Sequence, residues 1–314
     1  MVRRVGQGPP SKRHLAAMAL GAALYGAITV GGRIFAQLGF SLFEIAVTGG
    51  LFGALMLAPA IAWKAQFRIK RRDVDIFVAF GCMGAVLQIG QFLGIVLGVP
   101  VAIVALLLYT QPLWTVLLGR LWLGEPITPR KLGALALAAV GIVVLAGPTG
   151  PAAGHSTLGL AGALVAGVML AIWIILGRVS ALRGNLPITT VFGYQVSTSI
   201  GLFALWPILA SLPVFAGMSR FDPGVFVTHW QAVLIYTVLV NVAPAMLVMW
   251  GMVALEASTA GMMLLLEPAA AAFLAWMMFG EAITGHVWLG GALILGSNAV
   301  LIVRRGRADS RRNS

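Results

Sequence analysis

The chain has 314 residues, of which 60% are hydrophobic and only 10% are charged. A single soluble domain of this length cannot bury that much apolar surface, so the composition predicts a protein that is solvated by lipid. The net charge of +12 does not indicate nucleic acid binding, because the basic residues lie between apolar runs. The single cysteine, Cys82, excludes an intramolecular disulfide and a cysteine-rich metal site.

Ten apolar runs are each long enough to cross the roughly 30 Å hydrocarbon core of a bilayer. In chain order they cover residues 15–33, 42–63, 74–97, 101–122, 131–147, 157–178, 188–210, 231–253, 258–279 and 286–303. The first run is interpreted as a retained helix rather than a signal peptide, because no clear small-residue cleavage site interrupts it. The predicted fold class is therefore an all-α integral membrane protein with ten transmembrane helices.

The basic residues predict the orientation. An even number of spans places residues 1–14 and the basic tail, residues 304–314, on one side of the membrane. If that side is the cytoplasm, all of the 21 lysines and arginines except Arg33 and Arg220 lie there. The positive-inside rule then predicts cytoplasmic termini and a location in the plasma (inner) membrane, with the tail touching anionic lipid.

Two local patterns predict how helices begin and pack. Ser41 and Glu44 form a capping-box sequence at the start of the second run, so Glu44 is interpreted as a cap. Gly90, Gly94 and Gly98 repeat at four-residue spacing in the third run, which indicates a close approach to a neighbouring helix.

The chain contains an internal repeat. A shift of 156 residues places Gln111-Pro112 on Glu267-Pro268, and Gly124-Glu125 on Gly280-Glu281. The two copies cover residues 15–147 and 157–303, with five runs each. Because five is odd, the second copy enters the membrane from the opposite side. Inverted repeats of this kind are typical of secondary transporters, which bind substrate at the repeat interface near the midplane.

These residues carry a family resemblance. The paired Gly-Glu-x-Ile-Thr endings at residues 124–128 and 280–284, each preceded by a proline, resemble the EamA-type members of the drug/metabolite transporter superfamily. The Leu-Glu-Pro-Ala segment at residues 266–269 resembles the form in threonine/homoserine-type amino-acid exporters. One departure is Thr48, where members of the superfamily often carry an arginine. The resemblance implies a central cavity lined by helices 1, 3, 4, 6, 8 and 9, and efflux of small polar or amphipathic metabolites.

Glu267 is the leading candidate for substrate binding. It lies about ten residues into its run, which corresponds to ~15 Å and thus to mid-bilayer. An ionised carboxylate there costs at least ~2.5 kcal/mol, so it must be paired, hydrated or protonated. Pro112 and Pro268 are expected to break their helices and to leave the carbonyls of Leu108 and Leu264 free. We hypothesise that Glu267 binds a substrate amine or exchanges a proton; the alternative is a protonated carboxyl group that holds helices together.

Other polar and aromatic residues within the runs are candidate substrate-binding residues, because amides in lipid need partners. They are Gln111, Gln88, Gln91, Trp114, Tyr25, Trp173 and Asn241. Packing between helices is the alternative for each of them. For Gln195, Thr198 and Ser199 in the seventh run the resemblance implies packing. Glu125 and Glu281 are interpreted as local structural caps.

The sequence also bears on functional classes other than a transporter. The sequence has no Gly-x-Ser-x-Gly and no phosphate-binding loop with a lysine, and its histidines lack metal-ligand spacing. No soluble-enzyme, cofactor or metal site is therefore predicted. A passive channel or facilitator, and an intramembrane enzyme, remain alternatives. The expected partners are a small-molecule substrate, protons as a candidate coupling ion, and lipid, with no nucleic acid; monomer and homodimer both stay open.

Overall fold

The computed structural model describes residues 11–97, 99, 104, 107–146, 156–215, 217–280 and 285–303. Within these ranges the regular structure is helical, as the composition predicts. In chain order the α-helices are α1 (Lys12–Tyr25), α2 (Ala27–Gln37), α3 (Leu42–Trp63), α4 (Val74–Val96), α5 (Gln111–Leu123), α6 (Pro129–Ala146), α7 (Thr157–Leu182), α8 (Pro187–Ser211), α9 (Pro223–Thr228), α10 (Trp230–Ile235), α11 (Ala243–Ala254), α12 (Ala257–Met263), α13 (Leu266–Phe279) and α14 (Gly285–Val303). Three short 3-10 helices cover Ala65–Phe67, Arg71–Asp73 and Pro213–Phe215, and a π-helix at Tyr236–Val242 joins α10 to α11.

Seven segments of the described chain are long and apolar enough to cross a membrane. They are Lys12–Gln37, Leu42–Trp63, Ala65–Gly94, Thr157–Leu182, Pro187–Ser211, Trp230–Ala254 and Ala257–Phe279. These segments fit the predicted all-α membrane class. The count of ten stays a prediction, since the fourth predicted run includes residues outside the described ranges.

The glycine spacing in α4 is explained by packing. A Cβ on Gly90 would lie 2.7 Å from the carbonyl oxygen of Gly162, and a Cβ on Gly94 would lie 3.1 Å from that of Gly159. The backbones of α4 and α7 therefore touch, which only residues without side chains permit. The close approach predicted for this face is confirmed at these two glycines, while Gly98 lies outside the described residues.

The start of α3 is held as its sequence predicts. The amide of Glu44 donates to Ser41 Oγ at 3.1 Å, and the amide of Ser41 donates to Glu44 Oε2 at 2.6 Å. Glu44 is fully buried, and its second oxygen accepts the Asp222 amide at 2.6 Å. The capping-box interpretation is confirmed, and the same carboxylate also fastens the segment before α9.

Two helices begin in the middle of predicted runs, at the two prolines. Pro112 lies in the first turn of α5, and Pro268 lies in the first turn of α13, after α12 has ended at Met263. Both helices close on a glycine in the left-handed region, Gly124 and Gly280, each with φ 66°. These two helices thus end in the same backbone geometry, 156 residues apart.

The carbonyl of Leu264 does not remain free at this break. It accepts the Glu267 amide at 2.9 Å, so the tight turn supplies a partner in place of the amide that Pro268 lacks. The expectation of a free carbonyl at Leu264 was therefore wrong. What the break exposes is the side chain of Glu267 rather than the backbone.

Candidate functional site

A small chamber lies among the helices, with a volume of about 70 Å³. It is lined by six of the eight residues that the sequence singled out: Glu267, Gln88, Gln91, Tyr25, Trp173 and Asn241. Residues from α1, α3, α4, α7, α8, the π-helix, α11 and the α12–α13 break contribute to its walls. The structure thus brings together side chains that are up to 242 residues apart, from Tyr25 to Glu267.

Glu267 enters the chamber from the second residue of α13. The side chain of Tyr109, which lies just before α5, is close to the carboxyl group of Glu267. This contact joins the two helix breaks, because Tyr109 lies three residues before Pro112 and Glu267 lies directly before Pro268. A substrate amine or a proton that binds Glu267 would therefore act on the contact between both breaks.

Aromatic rings form much of the chamber wall. The ring of Trp173 makes edge contacts with Tyr25 at 6.2 Å and with Tyr194 at 5.9 Å between centroids, and Tyr236 completes the lining. The chain has four tyrosines, and all four lie at this chamber or on Glu267. Such faces attract a cation through their quadrupoles. The sequence did not identify three of these residues, Tyr109, Tyr194 and Tyr236. An isolated aromatic residue in an apolar helix does not show whether its side chain points towards a cavity or towards lipid.

Amide side chains make up the polar part of the lining. Gln91 Nε2 donates to Gln88 Oε1, and Gln195 Nε2 donates to Asn241 Oδ1 at 2.5 Å. Gln195 was expected to pack between helices, and its side chain does lie against Gly53, but it also lines the chamber. Its helix α8 therefore contributes to the site, in contrast to the implication of the resemblance.

Two buried polar atoms of the lining have no hydrogen-bond partner within the described part of the chain. They are Nε1 of Trp173, a donor, and Oε1 of Gln195, an acceptor. Trp173 is 4% exposed and Gln195 is 1% exposed. Because a buried polar group costs free energy when unpaired, a ligand that carried both an acceptor and a donor would be stabilised here.

Gln111 and Trp114 do not belong to this lining. Gln111 is 1% exposed, and its amide donates to Thr115 Oγ1 at 2.5 Å on the same helix. It also packs against Gly261 of α12, where a Cβ would lie 2.6 Å from its Nε2. The indole N–H of Trp114 donates to Thr110 Oγ1 at 3.2 Å. Both polar groups are satisfied by neighbours one turn away, which explains why neither reaches the chamber.

Glu125 is a cap, although not a local one. It is 8% exposed, and its carboxylate accepts the Ala257 amide at 2.6 Å, the Ser258 amide at 3.0 Å and the Ser258 hydroxyl at 2.5 Å. These groups form the N-terminus of α12, 132 residues away, where a negative charge is favoured. The structure corrects the local interpretation, and Glu281 lies outside the described residues.

Two cationic side chains also contact the connection between α11 and α12. Lys131 Nζ lies 2.8 Å from Glu256 Oε2, and Arg178 Nη1 donates to the carbonyls of Met252 at 2.5 Å and Val253 at 2.9 Å. Lys131 and Arg178 are 6% and 4% exposed, so both cations are buried. Glu125 and Lys131 of the first copy, together with Arg178 of the second, thus hold the start of the broken helix that carries Glu267.

The sequence model of the EamA-like transporter family matches residues 13–147 and 157–303. The chain belongs to the EamA-like transporter family. A similar curated protein is an uncharacterized transporter of Archaeoglobus fulgidus, 27% identical over 209 residues, which are 67% of this chain and 70% of that protein. The family and this relative are described as transporters, so the chain is a multi-pass membrane protein of a transporter family.

A solved structure, described as a crystal structure of a protein, supports the fold. It covers 94% of this chain, which in turn covers 99% of that chain, with a TM-score of 0.70 and 21% sequence identity. At this identity the likeness concerns the fold alone. The helical arrangement that surrounds the chamber therefore recurs in an experimentally determined protein.

Proposed function

We propose that this chain is a secondary active transporter that exports small metabolites by alternating access through the central chamber. Amino acids and related amphipathic compounds are the substrate class to test first, and a proton is the proposed coupling ion. The observation that carries the proposal is the position of Glu267. Its carboxyl group lies at a helix break, close to Tyr109, and lines a small aromatic chamber. In a membrane, ionisable groups in such positions mark substrate and proton pathways.

The volume of the chamber supports alternating access. About 70 Å³ lies far below the roughly 300–1,000 Å³ of small-molecule sites, so helices must move before an amino acid can enter. The Tyr109–Glu267 contact between the two breaks is suited to such a movement, since binding at Glu267 competes with it. The proposed membrane arrangement is ten spans in two inverted repeats, residues 15–147 and 157–303, with both termini cytoplasmic in the plasma membrane.

Zwitterionic substrates suit the chemistry of the lining. A substrate ammonium would contact Glu267 and the faces of the surrounding rings, while a carboxylate would accept from the Trp173 indole N–H, which has no partner among the described residues. The Oε1 atom of Gln195 is a second acceptor for an ammonium N–H. The proposal thus assigns opposite ends of the substrate to different walls of the chamber.

The proposal is tested with purified protein in thermal-shift and proteoliposome flux assays, against amino acids, amines and carboxylic acids at two pH values. The expected result is saturable, counter-gradient flux of at least one compound with an amino group, driven by a pH gradient. Flux without saturation, together with an ion current, would support a channel instead. Absence of flux and of stabilisation by every amino compound would contradict the proposed substrate class.

A further inference from the structure

Both helix breaks at the chamber pack against a glycine of another helix. Gly26 is the one residue between α1 and α2, and it contacts the break that carries Glu267. A Cβ on Gly26 would lie 2.7 Å from the Ala271 amide nitrogen and 2.8 Å from the Glu267 carbonyl oxygen. These neighbours are backbone atoms, which cannot rotate away as the end of a side chain can. The backbone of α13 lies this close only because residue 26 has no side chain.

The second contact involves Gly167 of α7. A Cβ on Gly167 would lie 2.8 Å from the Leu108 carbonyl oxygen and 2.9 Å from that of Leu107. Leu108 lies four residues before Pro112, at the break that precedes α5. Gly167 thus contacts the first break as Gly26 contacts the second.

Space, rather than backbone conformation, requires glycine at these two positions. Gly26 has φ −54° and ψ −24°, in the right-handed helical region that every L-residue adopts, and Gly167 lies within the helix α7. Glycine weakens a helix relative to alanine, so its presence here costs stability in both helices. The close approach of the two backbones is what an alanine would prevent.

Both contacts lie at the wall of the central chamber. Tyr25, directly before Gly26, lines the chamber together with Glu267, and Leu108 lines it beside Gly167. Each contact also joins the two segments that match the family model: Gly26 and Leu108 lie in residues 13–147, while Glu267 and Gly167 lie in residues 157–303. The chamber is therefore small because glycines let the two copies approach at both breaks.

We propose that Gly26 and Gly167 are positioning residues of the chamber, which permit the closed arrangement in which the two copies touch at both breaks. A methyl group at either position clashes only while the backbones touch. It therefore raises the free energy of the closed arrangement, leaves an open arrangement unchanged, and shifts the population towards the open one. The effect on transport rests on the proposed function, whereas the effect on access to the chamber does not.

The test measures how fast a water-soluble, cationic methanethiosulfonate modifies a cysteine in the chamber of the purified full chain. The reporter is Ala245→Cys, at a lining position that is 2% exposed, combined with Cys82→Ser, which removes the native thiol. With both glycines intact, the reporter should react at least about tenfold more slowly than Gln66→Cys, at an exposed position before α4, because modification requires opening. Gly26→Ala and Gly167→Ala should each raise the rate at the reporter about tenfold.

Gly201→Ala is the matched control. A Cβ on Gly201 would lie 2.6 Å from the Gly81 carbonyl oxygen, so the clash with backbone is as close, but neither glycine belongs to the described lining of the chamber. This variant should lower the Tm as the other two do and leave the rate at the reporter unchanged. An equal rise in rate in Gly201→Ala, or no rise in folded Gly26→Ala and Gly167→Ala, would overturn the proposal. Rapid modification of the reporter with both glycines intact would do so as well, without a substitution at either glycine.

The thiol assay needs no substrate, so its outcome is separate from the proposed function. In the flux assay, Gly26→Ala and Gly167→Ala should each transport about tenfold more slowly than wild type, since every cycle passes through the closed arrangement, while Gly201→Ala should not. Unchanged flux in both chamber variants would contradict a role of these contacts in transport. If the wild-type chain transports no compound, the proposed function fails, while faster modification in the two chamber variants alone still supports the inference.

Discussion

Removal of the Glu125 carboxylate tests how firmly the first copy holds the broken helix of the second. Glu125→Ala leaves the amides of Ala257 and Ser258 and the Ser258 hydroxyl without their acceptor. Each buried group that loses its partner costs about 1–3 kcal/mol, and loss of a helix N-cap costs about 1 kcal/mol. Because the Ser258 hydroxyl can rotate towards another acceptor, we expect the lower end of this range for each of the three groups, a total of about 3 kcal/mol.

The assay is thermal unfolding of the purified protein in detergent. At about 2–3 °C per kcal/mol, the Tm of Glu125→Ala should fall by roughly 6–9 °C. Glu125→Gln retains one acceptor oxygen and should lose about half as much. Glu256→Gln is the matched control: its side chain is 31% exposed and pairs with Lys131, so its loss should cost no more than about 1 kcal/mol. A Tm of Glu125→Ala equal to that of the control would refute the capping account.

Three further substitutions probe packing, capping and an exposed ion pair, each by the Tm. Gly31→Ala places a Cβ 2.5 Å from the Tyr236 ring, so overpacking should outweigh the gain in helix propensity and destabilise the protein by about 1–2 kcal/mol. A rise in Tm would contradict this contact. Ser41→Ala removes one half of the capping box and should cost about 1 kcal/mol; no change would mean that Glu44 alone caps α3. Arg183→Met breaks a bidentate pair with Asp75, in which both hydrogen bonds are 2.7 Å long. The Tm should fall slightly, and this decrease should vanish in high salt. A decrease that persists in high salt would indicate lost packing instead.

The membrane class and the importance of the helix breaks could be predicted from the sequence because both rest on local signals. Apolar length predicts helices that cross a bilayer, and a carboxylate before a proline in such a helix is costly enough to require a special environment. Six of the eight candidate residues line one chamber for the same reason, since polar side chains in apolar helices avoid lipid. These inferences need only the composition of each run.

The difference between Gln111 and Glu267 could have been foreseen from one residue. Thr115 lies one turn after Gln111 and accepts its amide, whereas the matching position after Glu267 is Ala271, which offers no such partner. Equivalence in the repeat therefore does not mean equivalence in the site. The residue four positions after Gln111 and the residue four positions after Glu267 differ in hydrogen-bonding capacity, and this difference is visible in the sequence.

Long-range contacts were beyond the sequence. Nothing in the Gly-Glu ending indicates that Glu125 reaches the α12 N-terminus, because the carboxylate and its amides are brought together only by the packing of α5 against α12. Nor does the sequence indicate that Tyr109 lies close to Glu267, or that Gln195 donates a hydrogen bond to Asn241. Each depends on the relative placement of helices that lie far apart in the chain.

Transport by Glu267→Gln across a range of pH tests the central claim most directly. The amide keeps the size of the side chain but can neither carry a negative charge nor exchange a proton. Reconstituted with a substrate found in the flux screen, the variant should lose at least about tenfold in rate, equivalent to about 1.4 kcal/mol, and its rate should no longer vary with pH. Glu256→Gln, which changes a carboxylate outside the chamber, should behave as wild type. An unchanged rate and pH profile in Glu267→Gln would contradict the account and leave Glu267 as a contact that holds helices together.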